Sequence, residues 1–145
     1  MKCTSMSFEQ LDAWKQARTL TRSIYALTRK GRLARDYGLN GQAQRAGVSV
    51  MSNVAEGYER LHVAEKLQFY NVAAGSAGEV RSLSYVIEDN YPELAGEAVE
   101  LREHAHRSSQ IIAGLVRSTE ARRLSKPLAT MFALLVGIFA LWVIL

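Results

Sequence analysis

The sequence predicts an all-α protein, an antiparallel up-down-up-down four-helix bundle with an added C-terminal hydrophobic helix. Apolar residues recur at steps of three and four along four separate stretches. Only 10 Gly and 2 Pro interrupt the 145 residues, and the last 18 positions carry no charge. With 48% hydrophobic and 22% charged residues, the composition is that of one folding domain rather than of a disordered chain. The single cysteine, Cys3, excludes an intrachain disulfide and a four-Cys zinc site. Eighteen Lys and Arg against 14 Asp and Glu leave a net charge of +4, which permits an anionic partner without demanding one.

Residues 1–6 form an N-terminal extension with no apolar run of signal-peptide length. Ser7 and Gln10 have capping-box spacing, and Met6 with Leu11 has the spacing of a hydrophobic staple, so helix one is predicted to begin there. Its inward positions are Phe8, Leu11, Trp14, Ala17, Thr21, Ile24 and Leu27, and the charged, Gly-containing stretch 29–38 is a loop. Helix two is predicted over residues 40–56, with Ala43, Ala46, Val50 and Val54 inward and Gly57 as its stop. Helix three, over 64–89, places Phe69, Ala73, Ser76, Val80, Leu83 and Ile87 on its seam and cannot continue past Pro92. Helix four starts at Pro92. Leu94, Ala98, Leu101, Ala105, Ser108, Ile112 and Leu115 alternate by four and three, as in a left-handed bundle seam. Short connections make successive helices antiparallel, and the bundle is assigned residues 7–120.

Residues 121–127, with Arg122, Arg123 and Lys126, read as a basic linker. Residues 128–145 would span about 27 Å as a helix, close to the ~30 Å hydrocarbon core of a bilayer. The expectation is a single-pass, tail-anchored protein of the bacterial inner membrane, with the lipid bilayer as partner of 128–145 and the basic residues holding the N-terminal domain in the cytoplasm. A buried helix or oligomerisation plug, in a cytoplasmic protein, is the alternative.

Five separated motifs carry a family resemblance: FEQLDAW at 8–14, IYALT at 24–28, YGLNGQ at 37–42, NVAEGYER at 53–60 and AAGSAGEV at 73–80. In this order and spacing the chain resembles the four-helix-bundle proteins encoded in intervening sequences of bacterial 23S rRNA genes. Their superfamily includes the accessory variability determinant proteins of diversity-generating retroelements. The resemblance covers residues 8–115, and the hydrophobic tail departs from the family pattern. It implies a bundle that assembles as a homopentamer with a basic surface, which in retroelement members engages RNA or DNA and a reverse transcriptase.

Lys15, Arg18, Arg22 and Arg29 fall within a stripe about 60° wide at about 100° per residue, and Lys30, Arg32 and Arg35 extend it into the loop. Residues 1–36 hold 8 basic and 3 acidic side chains. These seven residues are the candidate nucleic-acid contacts, multiplied by oligomerisation into a cationic surface with salt-dependent binding. A solvated face or contact with anionic headgroups are the alternatives.

Gln42, Arg45, Ser49, Asn53 and Glu56 share a polar strip of helix two. With Gly57, Arg60, Gly75, Ser76 and Glu79 they make up the most recognisable motif. The expected role is structural, a buried or subunit-interface network of Arg45, Glu56, Arg60 and Glu79, with a ligand or nucleic-acid site as the alternative. Gly75 in a helix interior costs about 1 kcal/mol and suggests a close packing contact. Glu59/His62 and Glu103/His106 have the spacing of di-iron bundles, but Glu103 points off the seam and Glu59 lies beyond Gly57, so a di-metal enzyme is a remote alternative. Glu103 with Arg107 has ion-pair spacing. No catalytic residues, metal or cofactor are expected. The predicted function is a non-enzymatic oligomeric scaffold that binds nucleic acid through the helix-one stripe. Its alternative is a membrane-anchored structural or assembly protein with no nucleic-acid role.

Overall fold

A computed structural model describes residues 7–144, with side chains described for 7–123. Four α-helices follow in order: α1 Asp12–Leu27, α2 Tyr37–Glu59, α3 Val63–Asn90 and α4 Ala95–Ile144. Three short 3-10 turns, Phe8–Gln10, Leu33–Arg35 and Pro92–Leu94, precede α1, α2 and α4. Each helix packs on its chain neighbours, and α4 returns against α1. All four neighbouring pairs are antiparallel. Contacts such as Asn40 to Thr28, Ser49 to Ser76, Arg102 to Ser84 and Lys30 to Glu97 join rising positions on one helix to falling positions on the next.

The seam of α4 is as periodicity predicts: Leu94, Ala98, Leu101, Ala105, Ser108 and Ile112 are buried. In α3 the seam is Tyr70, Ala73, Ala77, Val80, Ser84 and Ile87, so the predicted Phe69, Ser76 and Leu83 are displaced to its flank. Ala73, Val80 and Ile87 belong to both patterns. What turns the helix is Tyr70, which enters the core opposite Gly57, and Ser84, which accepts from Arg102 at 3.2 Å. Arg102 also pairs with Glu88 and stacks 3.6 Å over Tyr85, tying α3 to α4.

Several local expectations are corrected. The Ser7 side chain caps no helix, because the chain first makes a 3-10 turn that sets Phe8 edge-on to Trp14 at 5.3 Å, and α1 begins only at Asp12. Met6, the other half of the expected staple, lies outside the described residues. α2 starts at Tyr37, capped by Asp36, whose carboxylate accepts from the Leu39 N–H at 3.0 Å. Gly57 does not stop α2. It lies inside the helix, where a Cβ would sit 2.6 Å from the Tyr70 ring. Gly47 is similarly close-packed under Ile24, and its carbonyl accepts from Thr21 Oγ1 at 2.8 Å.

The expected transmembrane helix is also corrected. Among the described residues no helix is long and apolar enough to cross a membrane. The physical reason is that charged residues recur between the seam positions, and α4 carries Glu97, Glu100, Arg102, Glu103, Arg107, Arg117, Glu120, Arg122 and Arg123 before residue 124. Over residues 7–123 the helices bury their apolar stripes against one another. Nor does an added helix follow a linker, because α4 runs without a break through 121–127. The side chains of 128–145, on which the tail-anchored membrane reading rested, lie outside the described residues.

Candidate functional site

Lys15, Arg18, Arg22 and Arg29 are all exposed on α1 and the loop that follows it. They are not equally available. Lys15 lies 3.5 Å from Asp12, and the Arg18 guanidinium sits over the Trp14 ring at 5.6 Å. Arg22, Arg29 and Arg35 are exposed without an ion pair among the described residues. The two loop cations are engaged across the end of the bundle: Lys30 reaches Glu97 of α4 at 2.8 Å, and Arg32 reaches Glu93 at 3.0 Å and covers the Tyr91 ring at 5.6 Å. The Tyr91 hydroxyl donates to Asp36 at 2.8 Å. These partners hold the Glu93 carboxyl below its usual range through the Arg32 hydrogen bond, and Glu97 through that of Lys30. Asp36 is lowered first by the Leu39 N–H and then by Tyr91. Asn40, buried beneath, donates to the carbonyls of Leu33 at 2.7 Å and Thr28 at 3.3 Å. Lys30 and Arg32 are thus part of a staple between the α1–α2 loop and the α3–α4 turn.

The motif residues of α2 and α3 do not gather into one network. Glu56 pairs with Arg60, which lies over the Phe69 ring at 4.5 Å, but both are half exposed. Gln42, Arg45 and Glu79 are exposed, and neither Arg45 nor Glu79 is ion-paired among the described residues. The reason is geometric: Arg45 and Glu79 point outward from α2 and α3, away from the seam. Between the helices Ser49 and Ser76 share a hydrogen bond of 2.8 Å, and the Asn53 amide donates to the Ser49 carbonyl at 2.8 Å. Gly75 and Gly78 have nothing within 4 Å of where a Cβ would stand, so the packing contact expected at Gly75 is absent within the described chain. Exposed Val48, Val72 and Val86 complete this outer surface.

Glu59 and His62 flank the turn after α2, and Glu103 is exposed on α4, where it does not pair with Arg107 among the described residues. His106 lies 3.5 Å from Arg81, and His104 lines a cleft of about 150 Å³ beside Lys30 and Glu97. Among the described residues no group of three or more His, Cys, Asp and Glu is placed to hold a metal ion.

Sequence reading missed the opposite end of the bundle, where a cleft of about 460 Å³ opens between the start of α1, the α2–α3 turn and the distal part of α4. Lys66 and Tyr70 line it. The Lys66 ammonium donates to the carbonyls of Tyr58 and, at 3.4 Å, Gly57, so it closes the end of α2. Burial lowers the Lys66 pKa and pushes the Tyr70 phenol up to about 12. The signal was present in the glycine of NVAEGYER, read as a helix stop when it marks the place that an aromatic ring occupies.

The bundle recurs in a crystal structure of a protein of unknown function from the S23 ribosomal protein family of Bacteroides thetaiotaomicron VPI-5482. The TM-score is 0.66 at 11% identity, over 72% of this chain and 95% of that one, so the likeness is one of fold. No curated protein sequence matches. The sequence profile of the 23S rRNA-intervening sequence proteins matches residues 9–114, which take in every described helix except the distal part of α4. By its sequence motifs and by its bundle, the chain belongs to the 23S rRNA-intervening sequence protein family.

Proposed function

We propose that the chain is a non-enzymatic assembly protein whose outer α2–α3 surface docks a second copy of itself. The observation that carries this reading is the state of the family-motif residues. Arg45 and Glu79 are exposed, opposite in charge and unpaired among the described residues. Beside them Gly75 and Gly78 leave open space along α3, and Val48, Val72 and Val86 are exposed. Small residues with apolar neighbours let helices approach closely, and unsatisfied opposite charges set register between copies. The test is sedimentation equilibrium of the full chain. Self-association is expected, with Val72→Asp shifting it to monomer, Arg45→Glu or Glu79→Arg each weakening it, and the double exchange restoring it. A monomer at every concentration, or variants with the parent's mass, would reject the reading.

A second reading, nucleic-acid binding through the helix-one stripe, is favoured by Arg22, Arg29 and Arg35, which are exposed without ion pairs among the described residues. It is narrower than seven free cations, since Lys30 and Arg32 bind carboxylates of the same chain. Fluorescence anisotropy with short RNA and DNA at several salt concentrations separates the two. Binding through three arginines gives a log-log salt slope no steeper than about −3, whereas the assembly reading gives no binding.

A further inference from the structure

The cleft at the α2–α3 end is not explained by assembly or by the basic stripe. Its apolar wall is Leu11 before α1, Leu61 from the turn, Val63 at the start of α3 and Leu115 from α4, and Tyr58, Ser118, Thr119 and Arg122 complete the lining. Two more polar groups, Lys66 and Tyr70, break the apolar surface from within. Tyr70 is only 2% exposed, and its hydroxyl has no hydrogen-bond partner among the described residues. Nor is that oxygen sealed: among the described residues the fully buried partnerless side-chain atoms are Gln16 Nε2 and Asn40 Oδ1, so the Tyr70 hydroxyl is reached from the cleft that the residue lines. Lys66 spends two of its three N–H donors on the carbonyls of Gly57 and Tyr58, which leaves one. A buried donor without an acceptor is costly, and its cost is removed by whatever supplies one.

We propose that this cleft binds an amphipathic monocarboxylate, its head taken by Lys66 and Tyr70 and its apolar body laid against Leu11, Leu61, Val63 and Leu115. Two donors match the two oxygens of a carboxylate. Lys66 supplies a cation inside the cleft for a negative head, and the apolar wall suits a ligand with a body as well as a head, which inorganic phosphate lacks. A phenol that stays protonated to about pH 12 remains a donor at neutral pH. The volume suits a small molecule with a short acyl or aromatic body, and pockets of this kind are apolar with a few converging polar groups.

The test is isothermal titration of the full chain with octanoate, beside acetate as head alone, octanol as body alone and inorganic phosphate. Octanoate is expected to bind saturably at one per chain, with the other three at least tenfold weaker. Tyr70→Phe, which keeps the ring against Gly57, is expected to weaken octanoate about tenfold. Lys66→Met is expected to weaken it by at least as much, with circular dichroism confirming the fold of both. No saturable binding to millimolar octanoate, octanol or phosphate binding equally well, or an unchanged affinity in a folded Tyr70→Phe chain would each overturn the proposal.

Discussion

At one end of the bundle, where the α1–α2 loop meets the α3–α4 turn, Lys30, Arg32 and Tyr91 each find a carboxylate across the gap. At the other end, Lys66 donates to backbone carbonyls and lies 5.5 Å from the Tyr58 ring, with no ion pair among the described residues, and the Tyr70 hydroxyl has no partner there. The residue types are alike, basic and phenolic in both places. What differs is whether acidic side chains face them: Asp36, Glu93 and Glu97 close one end, and no carboxylate lines the cleft at the other. Paired charge makes a fastening; donors left over make a place for something else.

The largest effect on this contrast is expected at Asn40, which lies under the fastened end. Asn40→Ala removes the donor to the Thr28 carbonyl and one of the two to the Leu33 carbonyl, which keeps the Asp36 N–H, and should cost about 2 kcal/mol, read as a lower urea midpoint at unchanged slope. Gly57→Ala attacks the other end. Its Cβ would stand 2.6 Å from the Tyr70 ring, and overpacking of about 1–3 kcal/mol, offset in part by better helix propensity, should leave a loss of about 1–2 kcal/mol. The same change at Gly47 should cost less, since the obstructing atom there is the mobile end of Ile24. Gly75→Ala should instead stabilise a single chain by up to about 1 kcal/mol, because nothing lies within 4 Å, while weakening self-association if copies pack there. Thermal melting with sedimentation reads both at once.

Acid should loosen the fastened end, whereas alkali acts on both, since Asp36 raises the Tyr91 phenol through their hydrogen bond. Asp36, Glu93 and Glu97 have pKa values lowered by folding, so the stability they contribute is present above the ordinary carboxylate range near pH 4 and is lost as pH falls through their folded values. Tyr70 is raised to about 12, so its contribution is whole below the unfolded value of about 10 and is lost between there and about 12. The acid effect is the smaller, because these carboxylates are exposed to solvent. Hydrogen exchange at acid pH should first release amides of the loop around residue 36, and uniform release along the bundle would remove the contrast.

The seam of α4 was legible because its apolar residues alternate without interruption and every buried position obeys the same period. The α3 seam was legible only at Ala73, Val80 and Ile87, since residues on either side of that line are comparably apolar and the choice fell to Tyr70 and Ser84. Helix starts were less legible. Ser7 has the right spacing for a cap and makes none, and Asp36, which caps α2, sat inside a stretch read as loop. The basic stripe was legible as a set of exposed positions. Its division into engaged and unpaired cations was not, because the carboxylates that divide it lie some 60 residues along the chain.

By itself, then, the sequence determined the helices, their antiparallel order and their apolar faces, because those follow from local periodicity and short connections. Tertiary structure alone decided which glycines are indispensable, which cations remain unpaired and where a donor is left over. Each of these depends on the distance between residues remote in sequence. Gly57 and Gly75 are each a glycine within a helix, yet one faces an aromatic ring at 2.6 Å and the other faces open space, and only the packing of α2 on α3 tells them apart.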